Sequence, residues 1–93
     1  MKGGLIIEPE DNVVVVTEDV RIGDTVSYKL DGTYYEIQAK QDIPVYHKIA
    51  RAGIENGDKV IKYGQIIGVA VADINEGDHV HVHNVRSMSK EVE

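Results

Sequence analysis

An all-β domain is the fold this sequence predicts, and three features carry the prediction. Val and Ile supply 14 and 11 residues against 2 Leu, with no Phe or Trp, and β-branched side chains, stiff at χ1, favour pleated surfaces over helices. Apolar residues come in short runs bounded by Gly, Asp, Asn and Pro, without a sustained helical period. A motif of one β-branched residue, two variable residues, Gly-Asp, one variable residue and Val occurs three times, starting at Val20, Ile54 and Ile74.

The elements follow in order. Leu5-Ile6-Ile7 and Val13-Val14-Val15-Val16 read as two largely buried strands that pair across a turn made by Pro9, Asp11 and Asn12. Residues 26–30 and 33–37 alternate in polarity around Asp31-Gly32, the two-residue signal of a type I′ hairpin. Further strand segments are expected at residues 45–50, 59–63, 66–72 and 79–85. The three repeats read as corners: a buried aliphatic anchors the approach, glycine permits the turn, Asp bonds nearby amides and valine starts the next strand. These corners shape the fold and carry no chemistry of their own.

Ninety-three residues make one small domain, placed at residues 1–86, with a polar tail at 87–93. A domain of this size buries roughly 60–70% of its unfolded surface, so its core has little to spare. With no cysteine, neither a disulfide framework nor a thiolate zinc site supplements it. The N-terminus lacks the apolar region of a signal peptide and no apolar run reaches membrane-span length, so the expectation is a cytoplasmic protein without a membrane partner. A net charge of -6, from 16 acidic against 10 basic residues, repels phosphate backbones and argues against nucleic acid.

Chemistry concentrates in Gly77-Asp78-His79-Val80-His81-Val82-His83-Asn84. In one extended strand the three imidazoles share a face while Val80 and Val82 enter the core. At about 3.3 Å per residue, His79 and His81 lie roughly 7 Å apart and His79 and His83 roughly 13 Å. A His79/His81 pair can therefore meet one metal ion, whereas a third ligand from this strand needs a bend. The alternatives are a solvated polar face or a row of imidazoles that hydrogen-bond an anionic substrate near neutral pH. His47-Lys48 and Lys62-Tyr63-Gly64 are the other concentrations of functional side chains. Taken singly, Lys48, Lys62 and Tyr63 read as solvated strand ends and a half-buried ring.

Together, His47-Lys48-Ile49-Ala50, Lys62-Tyr63-Gly64, Ile66-Ile67-Gly68 and His79 to Asn84 resemble the small N-terminal domain of altronate dehydratases, over about residues 5 to 86. The chain also resembles the small subunit of sulfolactate sulfo-lyase and, more loosely, part of galactarate dehydratase. The resemblance implies an SAF domain with a β-clip fold of short strands. It also implies a lyase that dehydrates a sugar acid to a 2-keto-3-deoxy acid together with a large catalytic subunit.

Iron or manganese is implied for the complete enzyme, with no cofactor held firmly by this chain alone. The site residues that follow are His47, His81 and His83 as catalytic groups, Lys62, Tyr63 and Asn84 as substrate contacts, and His79 with His81 toward metal. Two other readings are a stand-alone module that binds carbohydrate or assists assembly, and a histidine metal chaperone. Exposed strand edges also make a homo-oligomer an expectation.

Overall fold

The computed structural model describes residues 1–87, in which nine strands form two sheets and no helix occurs. The strands are β1 Lys2–Leu5, β2 Val13–Val16, β3 Thr25–Leu30, β4 Thr33–Gln38, β5 Lys48–Ala50, β6 Lys59–Lys62, β7 Gln65–Ala70, β8 His79–Val80 and β9 Val85–Ser87. One sheet runs β4-β3-β1-β2-β5-β8 and the other β6-β7-β9. The all-β expectation is met. Ser87, which the sequence placed at the head of a tail, closes β9, and residues 88–93 lie outside the described region.

The four valines of β2 do not alternate because both faces of the strand are covered. Val14 and Val16 join a core with Ile6, Val26, Ile37 and Ile49, whereas Val13 joins a second core with Ala50, Val60 and Val80. Strand β5 divides in the same way, sending Ile49 into one core and Ala50 into the other. A continuous apolar run is what a strand buried on both faces requires.

Strands β1 and β2 pair antiparallel, as expected, with Gly4 opposite Val16. The strand starts earlier than Leu5, however, and of the predicted apolar run only Ile6 is buried; Leu5 and Ile7 are exposed. Glycine at position 4 lets β1 sit between Val14 and Val26, whose methyl groups a Cβ would strike, and β1 pairs in parallel with β3 on its other side. The β3–β4 hairpin turns at Asp31 (φ 52°) and Gly32 (φ 81°), as the Asp-Gly signal specifies.

The repeated corners number four. In each, the fourth residue has positive φ, and its amide and the next residue's carbonyl clasp one residue of another segment. Gly23 N donates to Ala39 O and Asp24 O accepts from Ala39 N; the same clasp joins Gly57 and Asp58 to Ala70, and Gly77 and Asp78 to Ala50. The fourth corner, from Ile43 to Ile49, was not visible as a Gly-Asp motif. Tyr46 (φ 69°) stands in the glycine position and His47 in the aspartate position, with Tyr46 N donating to Val16 O and Val16 N to His47 O. The corners associate in couples through the bridges Val20–Ile43 and Ile54–Ile74. In the first couple, Asp42 accepts from Ile22 N and Asp19 from Val45 N.

Candidate active site

The histidine segment is not one extended strand. Strand β8 contains only His79 and Val80, paired with Ile49 and Lys48 of β5, and the chain then turns through residues 81–84. Asn84 makes the turn: its Oδ1 accepts from His81 N at 2.9 Å and its Nδ2 donates to His79 O at 2.8 Å. These bonds satisfy groups that would otherwise seek a neighbouring strand, so the extended run stops there. Val82 consequently points away from the core and is 81% exposed, contrary to the alternating pattern. The turn also folds His83 back, leaving its ring centroid 5.0 Å from that of His79 instead of the roughly 13 Å of an extended chain.

His47 completes the cluster from the fourth corner. Its Nδ1 lies 2.9 Å from His79 Nε2, one ring donating to the other. Its ring stacks on His81 with centroids 4.0 Å apart and lies 5.1 Å from that of His79. One ring nitrogen from each of His47, His79 and His81 falls within 4.8 Å of the other two. The sequence paired His79 with His81 toward metal and found no complete set of ligands in the chain. The turn after β8 and the disguised corner at His47 together supply a third imidazole.

Burial, then the neighbouring charges of His83, His47, His81 and Lys48, pushes the His79 pKa down to about 4. His81 is lowered for the same reasons, burial first and then His47, Lys48 and His83. At neutral pH both are therefore neutral bases, the form that accepts a proton or ligates a metal. His81 Nδ1 is buried without a hydrogen-bond partner among the described residues, an arrangement that a ligand would relieve. Metal–imidazole bonds of about 2.0–2.1 Å place adjacent ligand nitrogens roughly 3 Å apart, so these three rings fit a divalent ion with small adjustments.

Lys48 follows His47 on β5 and is partly buried. Burial and the nearby charge of Lys62 lower its pKa. It lines a recess of about 140 Å³ with His81, Ile67, Val82 and Val85, and its ammonium has no ion pair among the described residues. Lys62 thus belongs beside the cluster, through Lys48. Tyr63 sits at the tip of the β6–β7 hairpin with positive φ (56°), its ring 5.1 Å from Lys62 Nζ, and makes no ring contact with the histidines among the described residues. Asp11 fixes that tip by accepting from Gly64 N at 2.7 Å. On the other flank, His79 borders a recess of about 380 Å³ between the corners that begin at Val20 and Ile43.

The sequence singled out six of these side chains and Asn84, but treated Lys48 as a solvated strand end. Its place beside His47 and across β5 from Val80 was the available signal.

These observations describe an all-β module that presents a histidine cluster and Lys48 at the β5–β8 edge of one sheet, with Lys62 of the other sheet nearby. Residues 2–88 match the altronate/galactarate dehydratase SAF domain, and the chain belongs to that family. It is 36% identical to altronate dehydratase of Bacillus subtilis (strain 168) over the whole chain, but spans only 18% of that enzyme's length. It is 44% identical to (2R)-sulfolactate sulfo-lyase subunit alpha of Paracoccus pantotrophus, over 61% of this chain and 85% of the relative. Its identity to the protein of the same name from Chromohalobacter salexigens is 38%, over 80% of the chain and 81% of the relative. Among the described residues, no helix is long and apolar enough to cross a membrane.

Proposed function

We propose that this chain is the small SAF subunit of a lyase that eliminates water from an altronate-like sugar acid, acting with a large catalytic polypeptide. The observation that carries the reading is the convergence of His47, His79 and His81 beside the partly buried Lys48. A partner polypeptide is supported by the two relatives that bear the name of a subunit.

Elimination beside a carboxylate needs a cationic clamp, a base for the proton on the adjacent carbon and an acid for the departing hydroxyl. Lys48 and Lys62 provide positive charge for the carboxylate. His83 on the exposed turn is able to take the proton on the adjacent carbon and return it to the leaving hydroxyl, while His47 and His81, stacked face to face, would help hold a metal ion that acidifies it. Breaking the carbon–hydrogen and carbon–oxygen bonds releases water and leaves an enol, which becomes the 2-keto-3-deoxy acid. Asn84, engaged on the backbone of the turn, acts by positioning His81, and Tyr63 acts from the hairpin tip through Lys62. Iron or manganese, where required, would be held by His47, His79 and His81 and would withdraw electron density from the substrate carboxylate.

The test is to combine the chain with the large polypeptide of the family and screen altronate, galactarate and sulfolactate. His81→Ala and His83→Ala should each lower turnover by about 10²- to 10⁴-fold without loss of fold. Unchanged kinetics would refute the assignment. A second reading, sulfolactate cleavage with loss of the sulfur group in place of water, is favoured by the sulfo-lyase relatives and is decided by the same screen.

A further inference from the structure

We infer that His47, His79 and His81 form a divalent metal site that is complete on this chain and fills without any partner polypeptide. The three ligand atoms already lie within 4.8 Å of one another, and the His47–His79 nitrogen pair, at 2.9 Å, has the spacing of adjacent ligands on one ion. Each imidazole is fixed by backbone structure. His79 is in the β5–β8 ladder, His81 is held by Asn84, and His47 occupies the aspartate place of a corner clasped to Val16.

The substitution that creates the site has a conformational cost. Three corners carry glycine at the left-handed position, whereas Tyr46 adopts φ 69° there with its side chain exposed. A non-glycine residue in that region is strained by its Cβ, and such strain gathers at functional positions. In the other three corners the residue following the left-handed position is Asp; here it is the imidazole that closes the cluster.

The donor set also selects the ion. Three imidazole ligands suit iron, cobalt, nickel or zinc, whereas manganese and magnesium prefer oxygen ligands. Of the two metals the resemblance implies, the site therefore favours ferrous iron. Three protein ligands leave coordination open, as in catalytic rather than structural metal sites, and the Lys48 recess borders His81 on that cluster. This last point deepens the lyase reading: a carboxylate in the recess would meet both the ammonium and the ion.

The experiment titrates the isolated, metal-stripped chain with Co²⁺, and anaerobically with Fe²⁺ and Mn²⁺, following visible absorption and bound metal after equilibrium dialysis. The expected result is one equivalent of Co²⁺ or Fe²⁺ per chain and weaker Mn²⁺ binding. His47→Ala, His79→Ala and His81→Ala should each weaken binding about 100-fold or more, since outer-shell changes alone cost 10- to 100-fold, while His83→Ala keeps the parent affinity. Circular dichroism reports the fold, and His47→Asn, which retains an Asp-like shape in the corner, replaces the alanine variant if that one unfolds.

No stoichiometric binding by the parent chain, or equal loss in His83→Ala, would overturn the site. Turnover by the two-chain complex separates the two ideas. Histidine-dependent turnover with no metal on the isolated chain sinks this inference alone; stoichiometric metal with no lyase activity sinks the lyase reading alone.

Discussion

His47 Nδ1 and His79 Nε2 meet at 2.9 Å although 32 residues separate them in the chain. The contact joins a corner to a strand end and brings both residues beside His81. It also ties the site to acid sensitivity. His79 has a folded pKa of about 4 against an ordinary 6.5, because burial first and the surrounding imidazoles and Lys48 second oppose its protonation. Between those values the unfolded chain binds the proton and the folded chain does not, so stability falls as pH drops from about 6.5 toward 4. Urea unfolding of the metal-free protein in chelator should show this loss, and His79→Asn should flatten it.

A second acid transition belongs to Asp11. Its burial works to raise the pKa, but hydrogen bonds from the amides of Gly64, Glu8, Tyr63 and Ile7 outweigh that and hold it below 3.8. A depressed carboxyl pKa contributes stability that is present above the unfolded value and lost as pH falls through the folded one. The loss therefore starts near pH 4 and continues below it, well separated from the onset near 6.5. Asp11→Ala, which strands amides both at the β6–β7 tip and in the loop after β1, should cost about 2–4 kcal/mol at neutral pH in chemical denaturation.

The corner glycines differ in what surrounds them. A Cβ at Gly23 meets nothing, whereas one at Gly77 strikes the backbone oxygen of Gln38. Gly23→Ala should cost about 1–2 kcal/mol, from positive φ alone, and Gly77→Ala about 3 kcal/mol because collision is added. Tyr46→Gly relieves the same strain in the fourth corner and should raise stability by up to about 1 kcal/mol. Thermal unfolding of the three variants gives the order.

Asn84→Ala removes both side-chain bonds that close the turn after β8. The expected loss is about 1–3 kcal/mol, with a further fall in metal affinity because His81 is no longer held. Asn84→Asp retains the acceptor for His81 N and should recover part of that affinity in the Co²⁺ titration.

The sequence was most legible where local chemistry decides structure. Asp31-Gly32 turns as a type I′ hairpin because both residues take positive φ, and in the three Gly-Asp corners the glycine alone takes it. It was least legible where long-range contacts intervene. Alternation from His79 to His83 suggested a continuous strand, but Asn84 captures the backbone of His79 and His81 and ends it after Val80. Tyr46-His47 has no turn signature, and its corner exists because Val16 clasps it and Ile43 bridges Val20. Lys48 looked like a solvated strand end because its partial burial depends on β8 and the residues after it.

X-ray absorption at the cobalt edge of the loaded chain addresses the central claim, that this fold gathers imidazoles from a corner, a strand and a turn around one ion. The account predicts scattering from three imidazoles at about 2.0–2.1 Å, falling to two in His47→Asn. A spectrum with one imidazole or none, or one unaltered by that substitution, would contradict it.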